Sequence, residues 1–163
     1  MLKLISMAKI MQKQLIALVS VASLFIPGNI ALARTHGAHC LNNNNGELNQ
    51  CKVNVDISGK RLDIKFDKEE YQDANFTLKK EQITELSTGD YAKTQVKKSI
   101  AKGILSPIGG IISAIDKQAR IQIAIVYLDA QNNQNVTLVD IPSRYALLFR
   151  QELETMTGLK VKK

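Results

Sequence analysis

The stretch from Ile121 to Ile141 restricts the fold of this chain more than any other. IQIAIVYLD and VTLVDI are dense in β-branched side chains and are separated by the polar QNNQ, so they read as two strands joined by a turn. Ile121, Ile123, Ile125 and Tyr127 share one face of the first strand. Ala124, Val126 and Leu128 make its other face apolar as well. A strand apolar on both faces belongs in the middle of a sheet that is covered on both sides.

Beyond Ile141 the period changes. Tyr145, Leu148, Phe149, Leu153 and Met156 recur at helical spacing, Ser143 after Pro142 is a suitable N-cap, and Gly158 supplies a stop. The expectation is a helix of about fourteen residues that closes the fold by laying its apolar stripe on the sheet. Upstream, Val53, Val55 and Ile57, the turn Ser58-Gly59-Lys60, and Leu62, Ile64 and Phe66 form a second hairpin. The polar run Asp67 to Asp73 leads to a third strand with Phe76 and Leu78 and a fourth over Ile83 to Ser87, and Gly89-Asp90 ends the block. Asp67, Glu69, Glu70 and Asp73 lack the glycine and final glutamate of a calcium loop and read as a solvated acidic loop.

Residues 1–33 read as a cleavable secretory signal peptide. Lys3, Lys9 and Lys13 form a positive n-region, and Leu15 to Ile26 is an uncharged apolar run too short to span a bilayer, which takes about 20 residues. Pro27-Gly28 break the helix, and Ala31-Leu32-Ala33 place cleavage before Arg34. No cysteine directly follows that motif, so no lipid anchor is expected, and the product is expected in the periplasm or outside a bacterial cell. Three of the 22 basic residues lie in the leader, so the remainder carries 19 against 15 acids, a net +4. A balance this small without clustered aromatics argues against nucleic-acid binding.

Residues 34–51 are expected to be a separate disulfide-closed segment, a stapled hairpin or loop at the entrance to a single domain over 52–163. Cys40 and Cys51 are the only cysteines, and in an oxidising compartment a pair is expected to be a disulfide. Asn42 to Asn45 followed by Gly46 supplies a turn between them. Both histidines, His36 and His39, fall in this region. A disulfide would consume the thiol of T-H-G-A-H-C, and the four ligands of a zinc site are absent. Cleavage before Arg34 would make His36 third from a new N-terminus, where a free amine, two deprotonated amides and an imidazole can bind Cu(II) or Ni(II) in a square plane. His36 is thus the one candidate metal ligand, and no cofactor is expected.

Ala92 to Lys102 carries Lys93, Lys97, Lys98 and Lys102 without an acid, with Val96, Ile100 and Ile104 at four-residue spacing. It reads as a basic amphipathic helix or a charged strand. GILSPIGGIISAI over 103–115 then runs without charge, broken by Pro107 and Gly109-Gly110. It reads as a connector packed on the domain's own core, or as a shallowly inserting element beside lysines that meet anionic head groups.

The hairpin ending in Tyr127 and Asp129 ("Y-x-D"), followed by a helix ending in Leu153, Glu154, Thr157, Gly158 and Val161 ("L-E-x-x-T-G-x-x-V"), resembles the pattern of small PH-like domains in exported bacterial proteins of unknown function. The resemblance covers residues 75–161. It implies an α+β fold, a bent antiparallel sheet or partly closed barrel with a C-terminal helix packed on it, and a binding rather than catalytic role; it supplies no functional residues. No internal histidine is left as a general base, and neither G-x-S-x-G nor H-E-x-x-H occurs. The expected function is a non-enzymatic binding or structural domain of the cell envelope, with a protein or other envelope partner. The alternative is a peripheral module on an anionic membrane surface, using the basic and apolar segment 93–115.

Overall fold

The computed structural model describes residues 33–101 and 119–163. The leader through Leu32, Lys102 and the apolar segment 103–115 lie outside the described residues. Among the described residues there are eight strands: β1 (Ala33–Asn42), β2 (Glu47–Asp56), β3 (Arg61–Phe66), β4 (Phe76–Lys79), β5 (Ile83–Thr88), β6 (Arg120–Leu128), β7 (Gln134–Pro142) and β8 (Val161–Lys162). Two α-helices accompany them among the described residues, α1 (Gly89–Ala101) and α2 (Ser143–Thr157). The protein is of the α+β class. Its single mixed sheet runs β4-β3-β2-β1-β7-β6-β5-β8; every pairing is antiparallel except β5 with the short β8.

The expected hairpins are both present, β2 with β3 and β6 with β7. β6 is covered on both sides: Ile123, Ile125 and Tyr127 belong to the larger core, and Ala124 and Val126 to a smaller one. The larger core lies under α2, whose Ala146, Phe149, Leu153 and Met156 point into it. The smaller core lies under α1, where Ala92 and Val96 meet Leu41, Val136 and Leu138. The segment from Ala92 is therefore a helix and not a charged strand. The acidic stretch before β4 takes up a single 3-10 turn over Glu69–Ala74.

Segment 34–51 does not stand apart from the sheet. It is the β1–β2 hairpin, and β1 lies between β2 and β7 with Ala38, Cys40 and Leu41 buried. The Cys40–Cys51 disulfide is formed, with Cα atoms 5.8 Å apart. Cys40 opposes Asn49 and Cys51 opposes Ala38, so the bridge runs diagonally across the hairpin.

The sheet curls because β4 and β5 are distant in strand order yet joined by the one turn Lys80–Gln82. Three residues reach only about 10 Å, so the two ends of the sheet must approach. Phe76 of β4 stacks on Tyr127 of β6, ring centroids 6.0 Å apart. Gln82 ties the seam by accepting from the Lys79 N–H at 2.9 Å and donating to the Leu128 carbonyl at 3.2 Å. No ladder joins β4 to β5 among the described residues, so the sheet does not close.

Two details of α2 differ from the periodic reading. Tyr145 is 43 % exposed, and Ala146, beside it in the first turn, is buried in its place. Pro142, not Ser143, occupies the N-cap, a shift of one residue. The stop is as expected: Gly158 takes a left-handed φ of 76° and its N–H donates to the Glu154 carbonyl at 2.8 Å.

Candidate functional site

The predicted lysine surface forms on the outer side of α1. The helix turns Ala92 and Val96 to the sheet, which leaves Lys97 and Lys98 exposed beside one another. Lys93 is half-buried one turn earlier, with its Nζ 3.7 Å from the Asp90 carboxylate. The structure thus brings three of the four predicted lysines onto one helix; the fourth, Lys102, lies outside the described residues.

The histidines do not sit in a tail. His36 is part of β1, opposite Val53, and is only 7 % exposed. Its Nε2–H donates to the buried Glu152 carboxylate on α2 at 2.5 Å, and its ring meets Phe149 edge-on at 5.2 Å. Arg34 reaches the other Glu152 oxygen at 3.7 Å. A square-planar site at the chain terminus needs His36 and its preceding amides free, whereas the ring is sealed in the core and the backbone lies in a ladder. The alternation of His36, Ala38 and Cys40 is the signal that places them on one face. The intervening glycine and polar residues obscure it.

His39 faces the opposite side. Arg120 donates from Nη2 to His39 Nδ1 at 2.7 Å and from Nε to Asp140 Oδ2 at 2.9 Å. A guanidinium only donates, so His39 is neutral and carries its proton on Nε2. Burial and the Arg120 charge both lower its pKa. Behind it, Gln122 opposes Asp140; the Gln122 amide, Asp140 Oδ1 and the Ser87 hydroxyl are buried without a hydrogen-bond partner. Among the described residues, no group of three or more His, Cys, Asp and Glu side chains could hold a metal.

The outer face of β2–β4 is polar and largely paired within itself. Asp63 accepts from Asn54 at 3.2 Å and from Thr77 at 2.7 Å, and Arg61 lies 3.4 Å from Asp56. Such a row is a solvated surface rather than an apolar docking face.

Apolar surface is concentrated elsewhere. A cleft of about 270 Å³ opens between the start of α2 and strands β6 and β8, lined by Ile121, Ile123, Ala146, Leu147 and Val161, with Arg150 and Lys163 contributing charge. Of the four large apolar side chains exposed among the described residues, Ile121 and Leu147 line this cleft and Tyr145 stands on the same helix turn. Leu147 is 67 % exposed. Arg150 is held by Glu154 at 3.2 Å, which fixes its direction along the helix. The periodic reading missed this cleft because Leu147 lies off the inward stripe and reads as an ordinary surface leucine. No described helix is long and apolar enough to cross a membrane. No family model matches the chain, and no curated protein matches it.

Proposed function

We propose that the protein is an exported, non-enzymatic binding domain of the cell envelope, PH-like in architecture, that holds a partner protein at the apolar cleft of α2. The observation that carries this reading is the grouping of Leu147, Ile121 and Tyr145 around a cleft bordered by Arg150 and Lys163. Fully burying a leucine or isoleucine stabilises a contact by about 1.5–3 kcal/mol, so two such side chains at the centre of a patch can anchor a small interface. The cations select a partner segment that is apolar with an acidic flank. Export is supported by the disulfide, which persists in oxidising compartments. The PH-like reading is supported by the bent, open sheet and the helix that caps it.

The test is chemical crosslinking in envelope extract of the protein from Arg34 onward, as wild type and as Leu147→Asp. One defined partner is expected to crosslink to the wild type and to be lost with the variant, while the melting temperature is unchanged because Leu147 contributes little to the core. An identical set of crosslinked proteins for both would refute the assignment of this cleft.

A second reading is favoured by the exposed pair Lys97 and Lys98: peripheral attachment to an anionic membrane through α1. Each lysine near such a surface contributes on the order of 1 kcal/mol, and the attraction decays over about 10 Å at 0.1 M salt. In vesicle sedimentation the protein is expected to bind anionic but not neutral lipid, less as salt rises, and less again with Lys97→Glu/Lys98→Glu. Binding indifferent to lipid charge and to the double substitution would leave the patch a solvated face.

A further inference from the structure

The seam where the sheet fails to close holds a second cleft, of about 350 Å³. Its walls come from the β1–β2 turn, the approach to β4, and the end of β6. We infer that it binds a neutral saccharide, a pyranose of an envelope glycan. This inference goes beyond the partner-protein reading and uses none of the residues of that cleft.

The wall residues Asn43, Asn44, Asp73 and Asn75 surround the rings of Phe76 and Tyr127. Phe76 is half-buried and is backed by Tyr127, with the rings stacked within 21° of parallel. Together they provide a firm apolar surface, as the C–H face of a sugar ring requires. Around it, the polar groups are already oriented by bonds within the protein. Asn75 Oδ1 accepts the Phe66 N–H at 2.7 Å, so the carbonyl side of that amide is committed and Nδ2 remains as a directed donor. Asn44 donates from Nδ2 to Asp73 Oδ2 at 3.3 Å, so the Asn44 carbonyl and Asp73 Oδ1 remain as acceptors. Asn43 and Tyr127 stand in the same wall. Fixed donors and acceptors side by side suit hydroxyl groups, each of which gives and takes one bond.

Charge excludes an anionic ligand. No lysine or arginine lines the cleft among the described residues, so a phosphate or carboxylate would enter without a counter-charge. The second wall carboxylate, Asp129, is already committed to the backbone N–H groups of Gln131 and Asn133 and to the side chains of Asn133 and Asn135. Asp73 is the one wall carboxylate left, and with the Asn44 carbonyl it supplies too few hard oxygens for the six or more that calcium takes. The cavity is at the small end of the roughly 300–1,000 Å³ typical of ligand sites, which suits a single ring or a chain terminus.

The experiment is heteronuclear NMR titration of the protein from Arg34 onward with galactose, mannose and N-acetylglucosamine oligomers, read at the side-chain amides of Asn43, Asn44 and Asn75. Asn75→Asp is the diagnostic variant: it keeps the oxygen that accepts the Phe66 N–H and removes the donor. Saturable shifts at these amides are expected for at least one saccharide in the wild type, weakened about tenfold or more in Asn75→Asp, a loss of about 1.4 kcal/mol, with no change in melting temperature. Shifts absent for every saccharide at millimolar concentration, or binding of wild-type strength in Asn75→Asp, would overturn the proposal. Either result leaves the assignment of the α2 cleft untouched, since that is read by crosslinking at Leu147.

Discussion

Replacing the disulfide by Cys40→Ala/Cys51→Ala is expected to destabilise the domain by about 2–4 kcal/mol. The bridged residues are 11 apart in sequence, and closing a loop of that length in the unfolded chain contributes about 3 kcal/mol in the chain-entropy account. Position adds to this. Cys40 is fully buried and Cys51 is 1 % exposed, in the hairpin that carries the central strand β1. Because the bridge joins diagonal partners, it also fixes the register in which Ala38 and Cys40 face the core, and a slip of one residue would turn that face outward. Urea unfolding with and without reductant, beside the double variant, measures the effect. Coincident curves for reduced and oxidised protein would show that the bridge contributes nothing.

Phe149→Ala is expected to cost about 3–5 kcal/mol, the range for removing a buried aromatic ring from a close-packed core. Phe149 has no solvent exposure, sits on the inward row of α2, and meets the His36 ring that Glu152 holds in place. Its loss leaves a void between α2 and β1 that a disulfide-stapled strand cannot collapse to fill. By contrast Leu147→Ala, two residues away on the same helix and 67 % exposed, is expected to change stability by no more than about 0.5 kcal/mol. Equal destabilisation by the two substitutions in thermal and urea unfolding would mean that α2 is not anchored on its inner face as described.

The polar groups resisted sequence reading more than the apolar ones. Glu152 falls within the apolar stripe of α2 and reads as an outward residue, yet it is 8 % exposed and bonded to His36, 116 positions earlier. Asn43, Asn44 and Asp73 of the second cleft were visible only as turn formers and as part of an acidic loop. Nothing local states that Asn44 meets Asp73, or that Phe76 stacks on Tyr127, because each contact exists only once the sheet has curled. The lysines of α1 were legible as a basic helical face, since four-residue spacing places them there whatever the helix packs against.

What the sequence by itself determined is what short-range periodicity and pairwise chemistry can encode: the two hairpins, the two-sided character of β6, the helix α2 with its glycine stop, and the single possible disulfide. These follow from alternation over a few residues, from positive φ at Gly158 and from having two cysteines. The tertiary structure alone decided that β1 lies in the middle of the sheet, that Ala146 rather than Tyr145 turns inward, and that a cleft is left between the approach to β4 and the end of β6. Each of these depends on which strand neighbours which across large separations in the chain. That choice is made by burying the sum of many apolar faces at once, a quantity no local pattern carries.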